Sequence, residues 1–146
     1  MKKNLPIFKS SILPNFITIC NGICGFTAIY HILKVDIAFG PGLETFSPES
    51  IDRFSNACWL IILGMIFDVF DGWAARAAGQ ASEIGAQLDS LSDLVTFGLA
   101  PALIVLKLNM IHSNVWINIT WCLCLIYFLA ALLRLARFNK SGTSTR

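Results

Sequence analysis

Four aspartates in the middle of the chain have the spacing to act together. From Asp68 to Asp93 the sequence reads DVFDGWAARAAGQASEIGAQLDSLSD. On helices, Asp68 and Asp71 at i, i+3 share one face, and Asp89 and Asp93 at i, i+4 share another. Two such pairs turned toward each other gather four carboxylates, which repel when ionised and must take up protons or hold cations in a partly dry site. An all-oxygen donor set suits magnesium, manganese or calcium, so a divalent metal on Asp68, Asp71, Asp89 and Asp93 is the expected neutraliser. Gly72 and Ala75 leave the face of the first pair open, and Gly85 lies one turn before Asp89 on the same face. Small residues also let membrane helices pack closely, which accounts for any one of them. It does not account for four aspartates.

The elements that carry these residues must cross a membrane. Hydrophobic residues make up 55% of the 146 residues and charged ones only 14%, against roughly 25% charged in an average soluble domain. At about 20 residues per spanning helix, the chain has room for about four. Uncharged runs between Lys9 and Lys34 and between Lys107 and Arg134 are each long enough. The other two spans must run through their own charges, one from about Phe54 to Ala78 with Asp68 and Asp71, the other from about Gly85 to Lys107 with Asp89 and Asp93. The expected fold is an all-α, polytopic transmembrane helix bundle forming a single membrane domain over residues 1–146. The first helix is expected to be retained, because its run exceeds the apolar core of a signal peptide and no small-x-small cleavage pattern follows it. The segment from Val35 to Arg53, with Gly40, Pro41 and Gly42 as breakers, reads as an outer loop.

Flanking charges set the orientation. Lys2, Lys3, Lys9, Arg76, Arg134, Arg137, Lys140 and Arg146 fall on one side of the spans, against Lys34, Arg53 and Lys107 on the other. The richer side is expected in the cytoplasm. Helical rise puts Asp68 roughly 12 Å from Arg76 along the axis, so the carboxylates lie just below the cytoplasmic interface. A lipid headgroup and a water-soluble molecule can both reach that depth, which suits chemistry on a lipid phosphate better than an ion path at mid-bilayer. The net charge of +2 is too small to imply a nucleic-acid partner. Cys20, Cys24, Cys58, Cys122 and Cys124 lie in apolar runs without a CxxC pair, so neither zinc nor a disulfide framework is expected. His31 and His112 read as interfacial residues.

Written by spacing, Asp68-x2-Asp71-Gly72-x2-Ala75-Arg76-x8-Gly85-x3-Asp89-x3-Asp93 resembles the signature of the CDP-alcohol phosphatidyltransferases at every defined position. The resemblance implies CDP-diacylglycerol as donor, CMP as leaving group and a required magnesium or manganese ion. It assigns Asp68, Asp71 and Asp89 to the metal-held pyrophosphate. Asp93, also near metal, becomes the base that takes the acceptor's proton. Gly72, Ala75, Arg76 and Gly85 form the nucleotide side. Asn15, Thr18 and Asn21, at i, i+3 and i+6 on the first helix, either meet the phosphates or cytidine or serve as interhelical donors.

Three further strings, LPNFITICNGICG from Leu13, QLDSLSDLVTFGLAPA from Gln87 and LLRLARFN from Leu132, are similar to the serine-accepting bacterial branch of that family. They imply L-serine as acceptor and a bacterial inner membrane. Arg134 or Arg137 either pairs with the serine carboxylate or anchors the last helix at lipid phosphates. Members of the family have about six or more membrane helices, so the resemblance also implies a shortened bundle, ending here in a polar and unstructured KSGTSTR. The other readings are a different alcohol acceptor, an inactive fragment, or a small cation carrier or proton relay whose aspartates do no covalent chemistry. Membrane lipids surround the bundle in every case, and a homodimer is allowed.

Overall fold

The computed structural model describes the backbone of residues 7–40, 43–78, 83–110 and 114–143, and side chains over residues 15–36, 47–73, 84–110 and 118–137. Its elements are α1 (Ile7–Leu33), a hairpin of β1 (Ile37–Gly40) and β2 (Leu43–Phe46), α2 (Pro48–Ala78), α3 (Glu83–Asp93), a π-helical segment (Leu94–Leu99), α4 (Ala100–Asn109) and α5 (Asn114–Thr143). Four stretches are long and apolar enough to cross a membrane: Asn15–Leu33, Pro48–Trp73, Ile84–Asn109 and Asn118–Arg137. The third is one rod built from α3, the π segment and α4. The protein is an integral membrane protein of helical architecture, as its composition predicts.

Helix α1 is the central rod, packed on α2 along its length and on α3, the π segment and α4 beside it, while α5 leans on α4 and the π segment. Away from the aspartates, Ala28, Ala57 and Ala100 are completely buried and meet Ile32, with Leu60, Ile61, Leu103 and Ile104 around them. Three alanines at one crossing let three backbones approach, which is how apolar helices associate in lipid without a hydrophobic driving force. Large apolar side chains such as Phe16, Phe26, Trp59, Trp73, Leu123 and Leu133 are exposed and face outward. In a bilayer these are lipid-facing positions.

The segment expected to be an irregular outer loop is more ordered than that. Antiparallel β1 and β2 pair from Ile37↔Phe46 to Gly40↔Leu43, and α2 starts at Pro48, well before Phe54. The start has a physical cause. The Ser50 amide donates to Ser47 Oγ at 3.2 Å, a side-chain cap, with Pro48 preset for the first helical position. The buried Ser50 hydroxyl donates to the Asp36 carbonyl at 2.8 Å and accepts from the Asp36 amide, tying the end of α1 to the start of α2. Arg53 and Glu49, one turn apart, form an ion pair on α2. At the other end of the chain, the polar run expected to be unstructured is helical as far as Thr143, because Phe138 and Asn139 carry the last turns into it without a proline or glycine until Gly142.

The third rod is not one continuous α-helix. The π segment has a bond from the Ala100 amide to the Val95 carbonyl, five residues back. Pro101 explains part of this: it has no N–H to give the Phe97 carbonyl four residues earlier, so the α-helical ladder cannot continue unchanged there.

Candidate active site

The site forms where the middle of α1, the C-terminal half of α2 and the C-terminal half of α3 meet. One carboxylate oxygen each from Asp68, Asp71 and Asp89 can be chosen so that all three lie within 4.8 Å of one another. Asp71 is buried, and Asp68 and Asp89 are half-buried. Asp93, one turn beyond Asp89 on α3, lies outside that group and has a different partner.

Helix α1 holds the carboxylates in place. Thr18 Oγ1 donates to Asp71 Oδ2 at 2.6 Å, both groups being buried. Asn21 Nδ2 donates to Asp93 Oδ1 at 3.0 Å. The same α1 residue is gripped from its backbone side, since Thr96 Oγ1 of the π segment donates to the Asn21 carbonyl at 3.1 Å. This grip depends on close approach. A Cβ at Gly25 would stand 2.3 Å from Thr96 Oγ1 and 2.8 Å from Thr96 Cα, and one at Gly64 would stand 2.7 Å from Thr96 Cγ2 and 2.9 Å from Asn21 Oδ1. Glycine at both places is therefore a steric requirement, and Thr96 and Asn21, each completely buried, form the knot joining α1, α2 and the third rod.

Gly72 is different. A Cβ there would meet nothing within 4 Å, so the space beside Asp71 is open, as the run of small residues predicts. Gly85 sits on α3 one turn before Asp89. Asn15 sits one turn before Thr18 on α1, further from the knot. Ala75 and Arg76 belong to α2, but their side chains lie outside the described residues. His112 does too. All five cysteines are free thiols.

A cavity of about 800 Å³ runs from Asp89 and Asp93 to α5. Ala86, Ser90, Leu94, Phe97 and Gly98 form one wall and Tyr127, Ala130, Ala131, Arg134, Leu135 and Arg137 the other. Arg134 and Arg137 thus share one groove with two of the aspartates and, among the described residues, make no ion pair. Ser90, Phe97, Thr96 and Tyr127 occupy no defined position of the aspartate motif, so its spacing does not point to them. Pro101, four residues after Phe97, is the available signal for the wide turn that carries Thr96 and Phe97.

The donor set fits a hard divalent cation. All three clustered groups are carboxylates, and Asp89 Oδ1 is buried with no hydrogen-bond partner among the described residues. An orphaned buried carboxylate oxygen is costly unless a cation or proton meets it.

The chain is thus a polytopic membrane protein that presents aspartates from two neighbouring helices beside an open glycine and a mostly apolar groove. The sequence profile of the CDP-alcohol phosphatidyltransferases matches residues 11–145, and the chain belongs to that family. It is 37% identical over 128 residues to a CDP-diacylglycerol–serine O-phosphatidyltransferase of Bacillus subtilis (strain 168), covering 87% of this chain and 60% of the relative. To the enzyme of the same name from Saccharomyces cerevisiae (strain ATCC 204508 / S288c) it is 38% identical over 128 residues, 87% of this chain and 41% of the relative. To an archaetidylserine synthase of Methanothermobacter thermautotrophicus (strain ATCC 29096 / DSM 1053 / JCM 10044 / NBRC 100330 / Delta H) it is 38% identical over 95 residues, 62% of this chain and 38% of the relative. The chain therefore spans about two fifths to three fifths of the length of these relatives. No solved structure matches it.

Proposed function

We propose that this chain, as one membrane domain, transfers the phosphatidyl group of CDP-diacylglycerol to the hydroxyl of L-serine, releasing CMP. The observation that carries the reading is the convergence of Asp68, Asp71 and Asp89 within 4.8 Å beside a groove that joins Asp89 and Asp93 to Arg134 and Arg137. The relatives' names, all serine transferases in their lipid class, support the acceptor.

In this reading Asp68, Asp71 and Asp89 would hold a magnesium or manganese ion, which would supply charge neutralisation for the donor's phosphates. The open face at Gly72, with Ala75, Arg76 and Gly85, receives the nucleotide side. Asn15 borders the phosphates, while Thr18 and Asn21, both buried, act on the site through their bonds to Asp71 and Asp93. Asp93 keeps Oδ1 on the Asn21 amide, which leaves Oδ2 to accept the serine hydroxyl proton as the serine oxygen bonds to the lipid-side phosphorus. The bond from that phosphorus to the bridging oxygen breaks, CMP departs with the electron pair, and the proton passes from Asp93 to water. Arg134 or Arg137 holds the serine carboxylate through a forked pair of N–H donors. The basic residues flanking this end of the bundle support a cytoplasmic site, in a bacterial inner membrane, by the positive-inside rule.

The test is transfer of radiolabelled serine to lipid by purified protein with CDP-diacylglycerol, with and without chelator. Chelator-sensitive phosphatidylserine formation with stoichiometric CMP is the expected result. Cation transport without CMP release would replace this reading with a carrier.

A further inference from the structure

We propose that Tyr127 is a positioning residue for the acceptor side of the groove, acting through a latch from α5 to the π segment. Tyr127 lies on α5 and its hydroxyl donates to the Phe97 carbonyl at 2.7 Å. That carbonyl is a special acceptor, because Pro101 at the i+4 position has no N–H to offer it. In lipid a backbone carbonyl deprived of its helical donor needs another partner, and a hydroxyl from a neighbouring helix can supply one. The latch sits inside the groove, since Phe97 and Tyr127 line it together with Asp89, Asp93, Arg134 and Arg137.

A second contact lies on the same face of α5, one turn further on. A Cβ at Gly98 would be 3.6 Å from Ala131 Cβ and 3.7 Å from Phe128 Cδ2, so α5 approaches closely here as well. Two anchors on successive turns fix both the rotation and the standoff of α5. Arg134 stands seven residues after Tyr127, on the same helix face, roughly 10 Å along the axis. The latch therefore sets where Arg134 stands relative to Asp93 across the groove, while the carboxylate cluster on α2 and α3 is anchored separately by α1. This inference rests on the serine-transferase reading above.

The experiment compares Tyr127→Phe with the unaltered protein, then repeats the comparison in a Pro101→Ala background. Tyr127→Phe should raise the serine KM about fivefold, the equivalent of one net hydrogen bond, with kcat, the CDP-diacylglycerol KM and Mn2+ affinity near their original values. Pro101→Ala returns an N–H to the Phe97 carbonyl, so the added cost of Tyr127→Phe in that background should fall below about twofold, and its Tm penalty should shrink in parallel. Ala131→Leu, which pushes α5 outward while leaving the hydroxyl intact, should raise the serine KM as well. A serine KM unchanged by Tyr127→Phe, or a Tm penalty equal in both backgrounds, overturns the latch. A fall in kcat alone, with both KM values unchanged, also overturns it, since that is what partial misfolding yields. If the unaltered protein transfers no serine, the transferase reading fails and the positioning role falls with it, while coupling in Tm would still identify the Phe97–Tyr127 contact as real.

Discussion

Adding one methyl group at Gly25 tests the knot that orients the candidate base. In Gly25→Ala the new Cβ would lie 2.8 Å from the Cα of Thr96 and 2.3 Å from its Oγ1. Relieving the overlap with the Thr96 backbone, to an ordinary carbon–carbon separation of about 3.5 Å, requires α1 and the π segment to part by about 0.7 Å. The Asn21–Asp93 bond, 3.0 Å long, would stretch to about 3.7 Å if it took up the whole shift, past the range of a hydrogen bond. Overpacking of this kind costs about 1–3 kcal/mol, and the strained Thr96–Asn21 and Asn21–Asp93 bonds add about 1 kcal/mol each. The expected result is a protein less stable by about 3–5 kcal/mol in detergent unfolding, with turnover lost.

Rescue separates this from general damage. At Gly64 the obstructing atoms are side-chain atoms, Thr96 Cγ2 and Asn21 Oδ1, so Thr96→Ser should recover part of the loss in Gly64→Ala. It should recover little in Gly25→Ala, where the backbone of Thr96 is in the way. Gly72→Ala, with nothing within 4 Å, should leave Tm unchanged or raised, since alanine favours helix by about 1 kcal/mol. A Gly25→Ala protein with an unaltered melting curve would refute the close approach and the orienting role built on it.

The remaining predictions address the cluster, the acceptor and the orientation. Asp71→Asn and Asp89→Asn should each weaken Mn2+ binding roughly tenfold or more by calorimetry and abolish transfer, whereas Asp93→Asn should lose transfer and keep most of its Mn2+ and CDP-diacylglycerol affinity; equal metal loss in all three would merge Asp93 into the cluster. Replacing whichever of Arg134 and Arg137 holds the serine carboxylate by Lys should raise the serine KM about tenfold more than the lipid KM, because Lys cannot reproduce the fork; unchanged serine dependence in both variants removes the arginines from the acceptor site. In a cysteine-free background, a cysteine at Glu44 should react with an impermeant maleimide on intact cells and one at Ser141 only after permeabilisation; the reverse pattern would invert the orientation.

Much of the fold is legible because membrane spans are written in the coarsest property of a sequence, the length of its apolar runs. The two spans that carry aspartates are legible only by allowing charges inside them, and the i, i+3 and i, i+4 spacings give the reason to do so. The hairpin and the early start of α2 escape for a local reason. Gly40, Pro41 and Gly42 read as breakers, while the cap from Ser47 and the pair of hydrogen bonds between Ser50 and Asp36 depend on two segments meeting in space. The wide turn after Asp93 is hidden for a related reason: Pro101 announces a missing donor, but which side chain answers it, Tyr127, is a fact about α5. Thr18 and Asn21 are narrowed in the same way. Their face is readable from the i, i+3 period, and their direct bonds to Asp71 and Asp93 are not.

Those two bonds also give a reason for the carboxylates to divide. Asp68, Asp71 and Asp89 crowd together, and a group so placed gains most by sharing a cation. Asp93 has given one oxygen to the neutral side-chain amide of Asn21, whose backbone carbonyl is gripped by Thr96, and it lines the groove together with Asp89. An amide donor steadies a carboxylate without neutralising it, so Asp93 keeps an oxygen free to take a proton, and the groove is where a proton-bearing acceptor would enter. The close approach at Gly25 and Gly64 then has a role beyond packing. It fixes Asn21, so that among the described residues one member of a set of four like residues has a side-chain amide partner the others lack, and similar side chains can be assigned different chemistry by which residue they are tied to.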